Sequence, residues 1–185
     1  MKIGVLAVQG AFIEQKDMIQ KLGVECVELR QKSDLSGISG IIFPGGESTV
    51  QGSLLRQLDM LEPLKEMISD GLPTLATCAG LILLAKNIEH DHTVHLGTLP
   101  VTVKRNAYGR QLSSFCTDSS IKGFSNFPMI FIRAPYITDV EDNVEILSRI
   151  DQHIVAVQYK NQIALSFHPE LSKDTRIHQS FLQMC

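Results

Sequence analysis

Pro73-Thr74-Leu75-Ala76-Thr77-Cys78-Ala79-Gly80-Leu81-Ile82-Leu83-Leu84 sets a short apolar run against a cysteine between small residues, with helix-forming leucines behind it. The pattern predicts a strand over 73–76 that turns sharply into a helix over 81–86. The same grammar repeats upstream. Residues 3–8 are a continuous apolar run bounded by Gly10, as a strand buried on both faces requires. Residues 11–22 carry apolar side chains at helical spacing and stop at Gly23. Strands follow over 24–29 and 40–43, the latter ending at Pro44-Gly45-Gly46, and helical stretches over 54–58 and 61–68 end at Gly71. This alternation argues for a parallel sheet with helices on both faces. Beyond residue 86 strands dominate, over 101–104, 113–116, 129–133, 144–148, 153–159 and 162–167, with a tight hairpin at Lys160-Asn161 and a last helix over 175–184. Neither repeat nor linker divides the chain, so the expectation is one α/β domain over 1–185 with a mixed, mostly parallel sheet.

Composition narrows the function. The formal net charge of -3 gives no basic footprint, which argues against nucleic acid as a partner. The apolar runs are too short to span a bilayer, and the opening Met1-Lys2-Ile3-Gly4-Val5 lacks targeting character. The expected location is cytoplasmic, without membrane association. Cys26, Cys78, Cys116 and Cys185 are widely spaced and form no Cys-x-x-Cys pair, so reduced thiols are expected. Cys26 and Cys116 sit in strand-like runs and read as small buried hydrophobes.

Cys78 has a different setting. A strand-to-helix turn lifts its side chain above the sheet and points it at a helix N-terminus, whose partial positive charge favours a thiolate. The N–H of Ala79 faces the same place and suits a developing oxyanion. Ser166-Phe167-His168-Pro169-Glu170 follows a strand at the edge where open α/β sheets place their sites. His168 can move a proton, and Glu170, two positions on, can orient it. The two stretches are far apart in sequence and only the fold can unite them. A thiol, a base and a group that orients the base are the parts of nucleophilic catalysis.

Pro44-Gly45-Gly46-Glu47-Ser48-Thr49 also follows a strand. Its glycines allow close backbone approach, so the loop could complete an oxyanion hole. The Gly-Lys-Ser/Thr ending of a phosphate loop is missing and the Gly4 to Gly10 segment lacks dinucleotide-binding spacing, which argues against nucleotides. His90, His92 and His95 are close enough to suggest metal ligation, yet Glu89 and Asp91 beside them read better as a solvated loop. Arg105 and Arg133 each follow a strand-like run and could reach the edge that carries Cys78, or form structural ion pairs.

The Thr-Cys-Ala-Gly elbow together with His-Pro-Glu resembles the triad-type, class I glutamine amidotransferases. More narrowly, the chain is similar to the PdxT family, the glutaminase subunits of pyridoxal 5'-phosphate synthase. The matching segments are Pro44 to Thr49, Thr77-Cys78-Ala79-Gly80-Leu81, Val103-Lys104-Arg105-Asn106-Ala107-Tyr108-Gly109-Arg110-Gln111, Phe131-Ile132-Arg133-Ala134-Pro135 and Ser166 to Leu171. They cover essentially the whole chain. One departure is Ala76, where the family usually has glycine two positions before the nucleophile.

The resemblance implies a flavodoxin-like three-layer sandwich and hydrolysis of L-glutamine to L-glutamate and ammonia. It implies Cys78, His168 and Glu170 as the catalytic triad and the N–H groups of Gly46 and Ala79 as the oxyanion hole. It also implies Gly45, Gly46, Glu47, Arg105, Ile132 and Arg133 as the glutamine-holding positions. No cofactor or metal is implied for this chain, pyridoxal 5'-phosphate being the product of the complex. The implied partner is a PdxS-type synthase subunit, with glutaminase subunits docked around a dodecameric core as a large hetero-oligomer of twelve plus twelve. The Arg105 and Arg133 segments argue against the glutaminase of another amidotransferase, and the His168 motif against a peptidase or chaperone with a similar elbow cysteine. A non-catalytic regulatory subunit is the remaining alternative.

Overall fold

The computed structural model describes residues 1–106 and 114–185. The expected strand start at Ser113 and the Ala107-Tyr108-Gly109-Arg110-Gln111 part of the arginine motif lie outside the described residues. The chain alternates β1 (Lys2–Leu6), α1 (Phe12–Lys21), β2 (Glu25–Leu29), β3 (Gly40–Phe43), α2 (Ser48–Gln57), α3 (Leu61–Ser69), β4 (Thr74–Thr77) and α4 (Ala79–Leu84). It continues through β5 (Ala85–Ile88), β6 (Leu99–Lys104), β7 (Ser114–Ile121), β8 (Phe124–Ile132), β9 (Tyr136–Val140), β10 (Glu145–Ile150), β11 (His153–Tyr159), β12 (Gln162–Leu165) and α5 (Arg176–Leu182).

The central sheet runs β2-β1-β3-β4-β12-β11-β9-β6-β5, with β10 on β11. From β2 to β12 every pairing is parallel, and β1, β3, β4 and β12 are apolar strands buried almost throughout, as burial on both faces demands. The hairpin of β11 and β12 then turns the sheet antiparallel. On one face α2, α3 and α4 pack Leu55, Leu64, Ile68 and Leu81 onto Ile41 and Phe43. On the other, α1 and α5 pack Ile19, Ile177 and Phe181 onto Ile3, Val5 and Ile42. The separate β7–β8 hairpin joins this second face through Phe127, Met129 and Phe131.

Several boundaries differ from expectation. The helix after Cys78 starts at Ala79 and ends at Leu84, and residues 85–88 form the edge strand β5. Lys86 and Asn87 face solvent there, so the strand lacks a buried pattern of its own. α2 begins at Ser48 because Glu47 caps it, six residues before the expected start. β9 was not expected, since its Thr138 and Asp139 are exposed. Cys116 is corrected as well: it lies on the outer side of the alternating strand β7 and is exposed, whereas Cys26 is buried as expected. Among the described residues no helix is long and apolar enough to cross a membrane.

Candidate active site

Strand pairing brings the two chemical motifs together. β4 and β12 are parallel neighbours in register Leu165↔Thr77, and the N–H of Cys78 donates to the carbonyl of Leu165 at 2.8 Å. Their carboxyl ends therefore finish side by side, with Cys78 one residue past β4 and His168 three residues past β12. The β8 strand fastens the second motif: His168 N–H donates to the Ile130 carbonyl at 2.8 Å, and the Phe131 ring lies 5.7 Å from that of Phe167.

Cys78 holds φ +50 and ψ -101, a conformation that L residues adopt at a cost. Its thiol is directed at the Ile132 carbonyl, 3.8 Å from Sγ, and lines the same cleft as the His168 ring. His168 Nδ1 lies 2.8 Å from Glu170 Oε1, which leaves Nε2 for the thiol. Glu170 is fully buried, and its Oε2 has no hydrogen-bond partner among the described residues. Burial alone would lower the His168 pKa. The neighbouring Cys78 and the hydrogen-bonded Glu170 carboxylate outweigh that and push it up to about 10. The imidazole therefore carries its proton at neutral pH.

Gly45 permits this arrangement, because a Cβ there would run into Cε1 of the His168 ring. The loop is tied down from two sides. The N–H of Ala11 donates to the Gly45 carbonyl at 2.9 Å, and the N–H of Glu47 donates to Gln9 Oε1 at 2.9 Å. Buried Gln51 donates to the carbonyls of Gln9 and Pro44. Glu47 then caps α2 by accepting from Thr49 and Val50 at 3.2 and 2.8 Å. Partial burial works against its charge, but these amides and the nearby Arg105 hold its pKa below the usual carboxylate range.

Arg105 reaches Glu47 Oε1 and Thr49 Oγ1 through Nη2, at 3.0 and 3.1 Å, and Asp91 through Nη1 at 3.6 Å. Arg105 and Glu47, with Arg133, Ile132 and Ala79, line a cleft of about 410 Å³ that opens onto Cys78 and His168. Arg133 has a positive φ of +42 and is exposed. The catalytic and glutamine-holding candidates singled out from the sequence thus meet at one place. Ala76 does not line the cleft: it is fully buried in the apolar cluster with Phe43 and Leu81, so its methyl group is core packing.

The histidine loop divides. His90 is exposed, but His95 is buried, which corrects its reading as part of a solvated loop; its ring sits against Gly52 where a Cβ would clash, and Arg56 donates to the adjacent Val94 carbonyl. No group of three or more His, Cys, Asp or Glu side chains gathers for a metal among the described residues. Sequence reasoning missed Gln51 and Ser48, and read Asp91 as part of a solvated loop. Ser48 lines the cleft, and its Oγ is buried without a partner among the described residues. Its place as the first residue of α2, just after Glu47, was the available signal.

Residues 5–185 match the SNO glutamine amidotransferase family. The chain belongs to that family. Within it, the pyridoxal 5'-phosphate synthase subunit PdxT of Desulfitobacterium hafniense is 61% identical over 183 residues, covering 98% of this chain and 92% of that protein. The PdxT subunit of Streptococcus pneumoniae is 54% identical over 189 residues, covering 100% and 97%. A solved glutamine amidotransferase superposes with a TM-score of 0.95 at 41% identity, over 98% of this chain and 97% of that one. Another solved glutamine amidotransferase, from Thermotoga maritima, reaches 0.67 at 14% identity, over 99% and 83%, and shares the fold. The α/β architecture with a mostly parallel mixed sheet is thus that of the family.

Proposed function

We propose that this chain is the glutaminase subunit of a pyridoxal 5'-phosphate synthase and that Cys78, His168 and Glu170 are its catalytic triad. The observation that carries the reading is the pairing of the His168 ring with the buried Glu170 carboxylate at 2.8 Å, in the same cleft that the Cys78 thiol lines. The thiolate attacks the side-chain carboxamide carbon of glutamine. The N–H groups of Gly46 and Ala79 hold the resulting oxyanion; Ala79 opens α4, and the first N–H groups of a helix have no partner within it. Protonated His168 gives its proton to the departing nitrogen, the C–N bond breaks, and ammonia leaves a thioester on Cys78. A water, deprotonated by His168, then attacks the thioester; the C–S bond breaks, glutamate is released, and the thiolate and protonated His168 are restored. Glu170 stabilises the imidazolium and fixes Nε2 toward the sulfur.

Arg105 and Arg133 suit the α-carboxylate of a free amino acid, and Glu47 its α-amine. The Ile132 backbone and the glycines Gly45 and Gly46 complete the walls. The ammonia passes to a PdxS-type synthase subunit, whose docking raises the rate. The test is glutamate release from glutamine by the full chain with and without a matching synthase subunit. Native protein is expected to turn over faster with the partner, and Cys78→Ala to show no release while remaining folded. Activity retained in Cys78→Ala would overturn the mechanism.

A further inference from the structure

One buried titratable side chain has no part in this chemistry. His178, in α5, is fully buried, and burial pulls its pKa down to about 4, so the ring is neutral. Its Nε2 lies 2.9 Å from Gln15 Oε1, and Gln15 Nε2 donates to Thr77 Oγ1 at 3.2 Å. An amide oxygen can only accept, so His178 carries its proton on Nε2. Its Nδ1 is a buried acceptor without a partner among the described residues. All three residues are 0% exposed and lie on the face of the sheet that carries Ile19, Ile177 and Phe181. Polar groups in such a layer cost free energy, and an apolar trio of similar shape would fill the space without that cost. What the chain of bonds contributes is placement.

It ends next to the nucleophile. Thr77 precedes Cys78, whose backbone conformation persists only where its surroundings over-determine it. The helix that carries Gln15 also governs the rest of the site. Ala11, at its start, bonds to Gly45, Gln9 just before it bonds to Glu47, and α1 lies against the Pro169–Leu171 turn that contains Glu170. We infer that the buried Thr77–Gln15–His178 chain braces the Cys78 elbow against α1 and keeps it in line with the Gly45–Gly46 loop and His168. Gln15, Thr77 and His178 are then positioning residues for the thiol chemistry. This inference rests on the reading of Cys78 as the nucleophile.

Two substitutions of one residue separate bracing from packing. Thr77→Val keeps the shape and removes the hydroxyl; Thr77→Ser keeps the hydroxyl and removes a methyl group. In the full chain with its synthase partner, Thr77→Val is expected to lower kcat at least about tenfold with KM for glutamine unchanged, because a displacement of about 1 Å at a reacting group costs on the order of a hundredfold. Thr77→Ser is expected to stay within about twofold of native, whereas a packing role reverses the order of the two variants. The second readout is alkylation of Cys78 by iodoacetamide, followed on its own peptide, which needs neither glutamine nor partner. It should slow in Thr77→Val and not in Thr77→Ser. If native protein releases no glutamate, the glutaminase reading fails while alkylation still decides on the brace. Should Thr77→Val not fold, the apolar triple variant Gln15→Leu, Thr77→Val, His178→Phe leaves no member of the chain unpaired and carries the same comparison. Native rates in both assays for the valine or triple variant would overturn the inference.

Discussion

Glu47 Oε1 accepts a hydrogen bond from Arg105 Nη2 at 3.0 Å while the same carboxylate caps α2 through the N–H groups of Thr49 and Val50. One side chain thus starts a helix and orients a cation in the cleft. Glu47→Ala is expected to cost about 1 kcal/mol of stability, as lost caps do, and to raise KM for glutamine more than it lowers kcat. Urea unfolding and steady-state kinetics of the variant check both. A change in neither would show that the contact has no energetic role.

The strained elbow makes a prediction about stability that is independent of any substrate. Cys78→Gly and Cys78→Ala both remove the thiol, but only glycine adopts a positive φ without penalty. The glycine variant is expected to be about 1–2 kcal/mol more stable than the alanine variant, and both to be inactive. Paired melting curves decide it; equal melting temperatures would mean the elbow stores no strain.

His168 predicts a pH dependence of a definite sign. Its folded-state pKa, raised to about 10, lies above the ordinary 6.5. The charged ring therefore stabilises the fold fully below about pH 6.5, and that contribution is lost as the pH rises through about 10. The stability gap between native protein and His168→Gln should narrow steadily across this window, measured by urea unfolding at several pH values. Glutaminase activity should fall on the same alkaline limb, since the proton destined for ammonia leaves the ring. A gap that widens with pH would reverse the assignment of the ring's charge.

The legibility of this chain in its sequence follows burial. β1, β3, β4 and β12 are covered on both sides, so their residues are mostly apolar and each was readable. β5 and β9 expose Asn87, Thr138 and Asp139, and their strand character comes from pairing with β6 rather than from a pattern of their own. The site was legible where chemistry demands particular residues: a thiol on an elbow, His-Pro-Glu after a strand, glycines before a helix. Gln15 and Gln51 escaped notice, and Asp91 was read as part of a solvated loop, because amides and single carboxylates are common on helices and loops. Only the fold shows which of them face inward. His95 was misplaced for the converse reason, since a histidine among charged neighbours looks solvated until Gly52 makes room for its ring.

The pairing of Leu165 with Thr77 has a consequence for how the protein is made. The thiol is synthesised long before the strand that brings its base, and β12 inserts between β4 and β11 as the last strand of the sheet to be translated. Until it does, Cys78 has neither the Leu165 carbonyl that anchors its backbone nor the His168 imidazole beside it. In a nascent chain Cys78 and His168 are therefore apart, and they meet only in the event that completes the sheet.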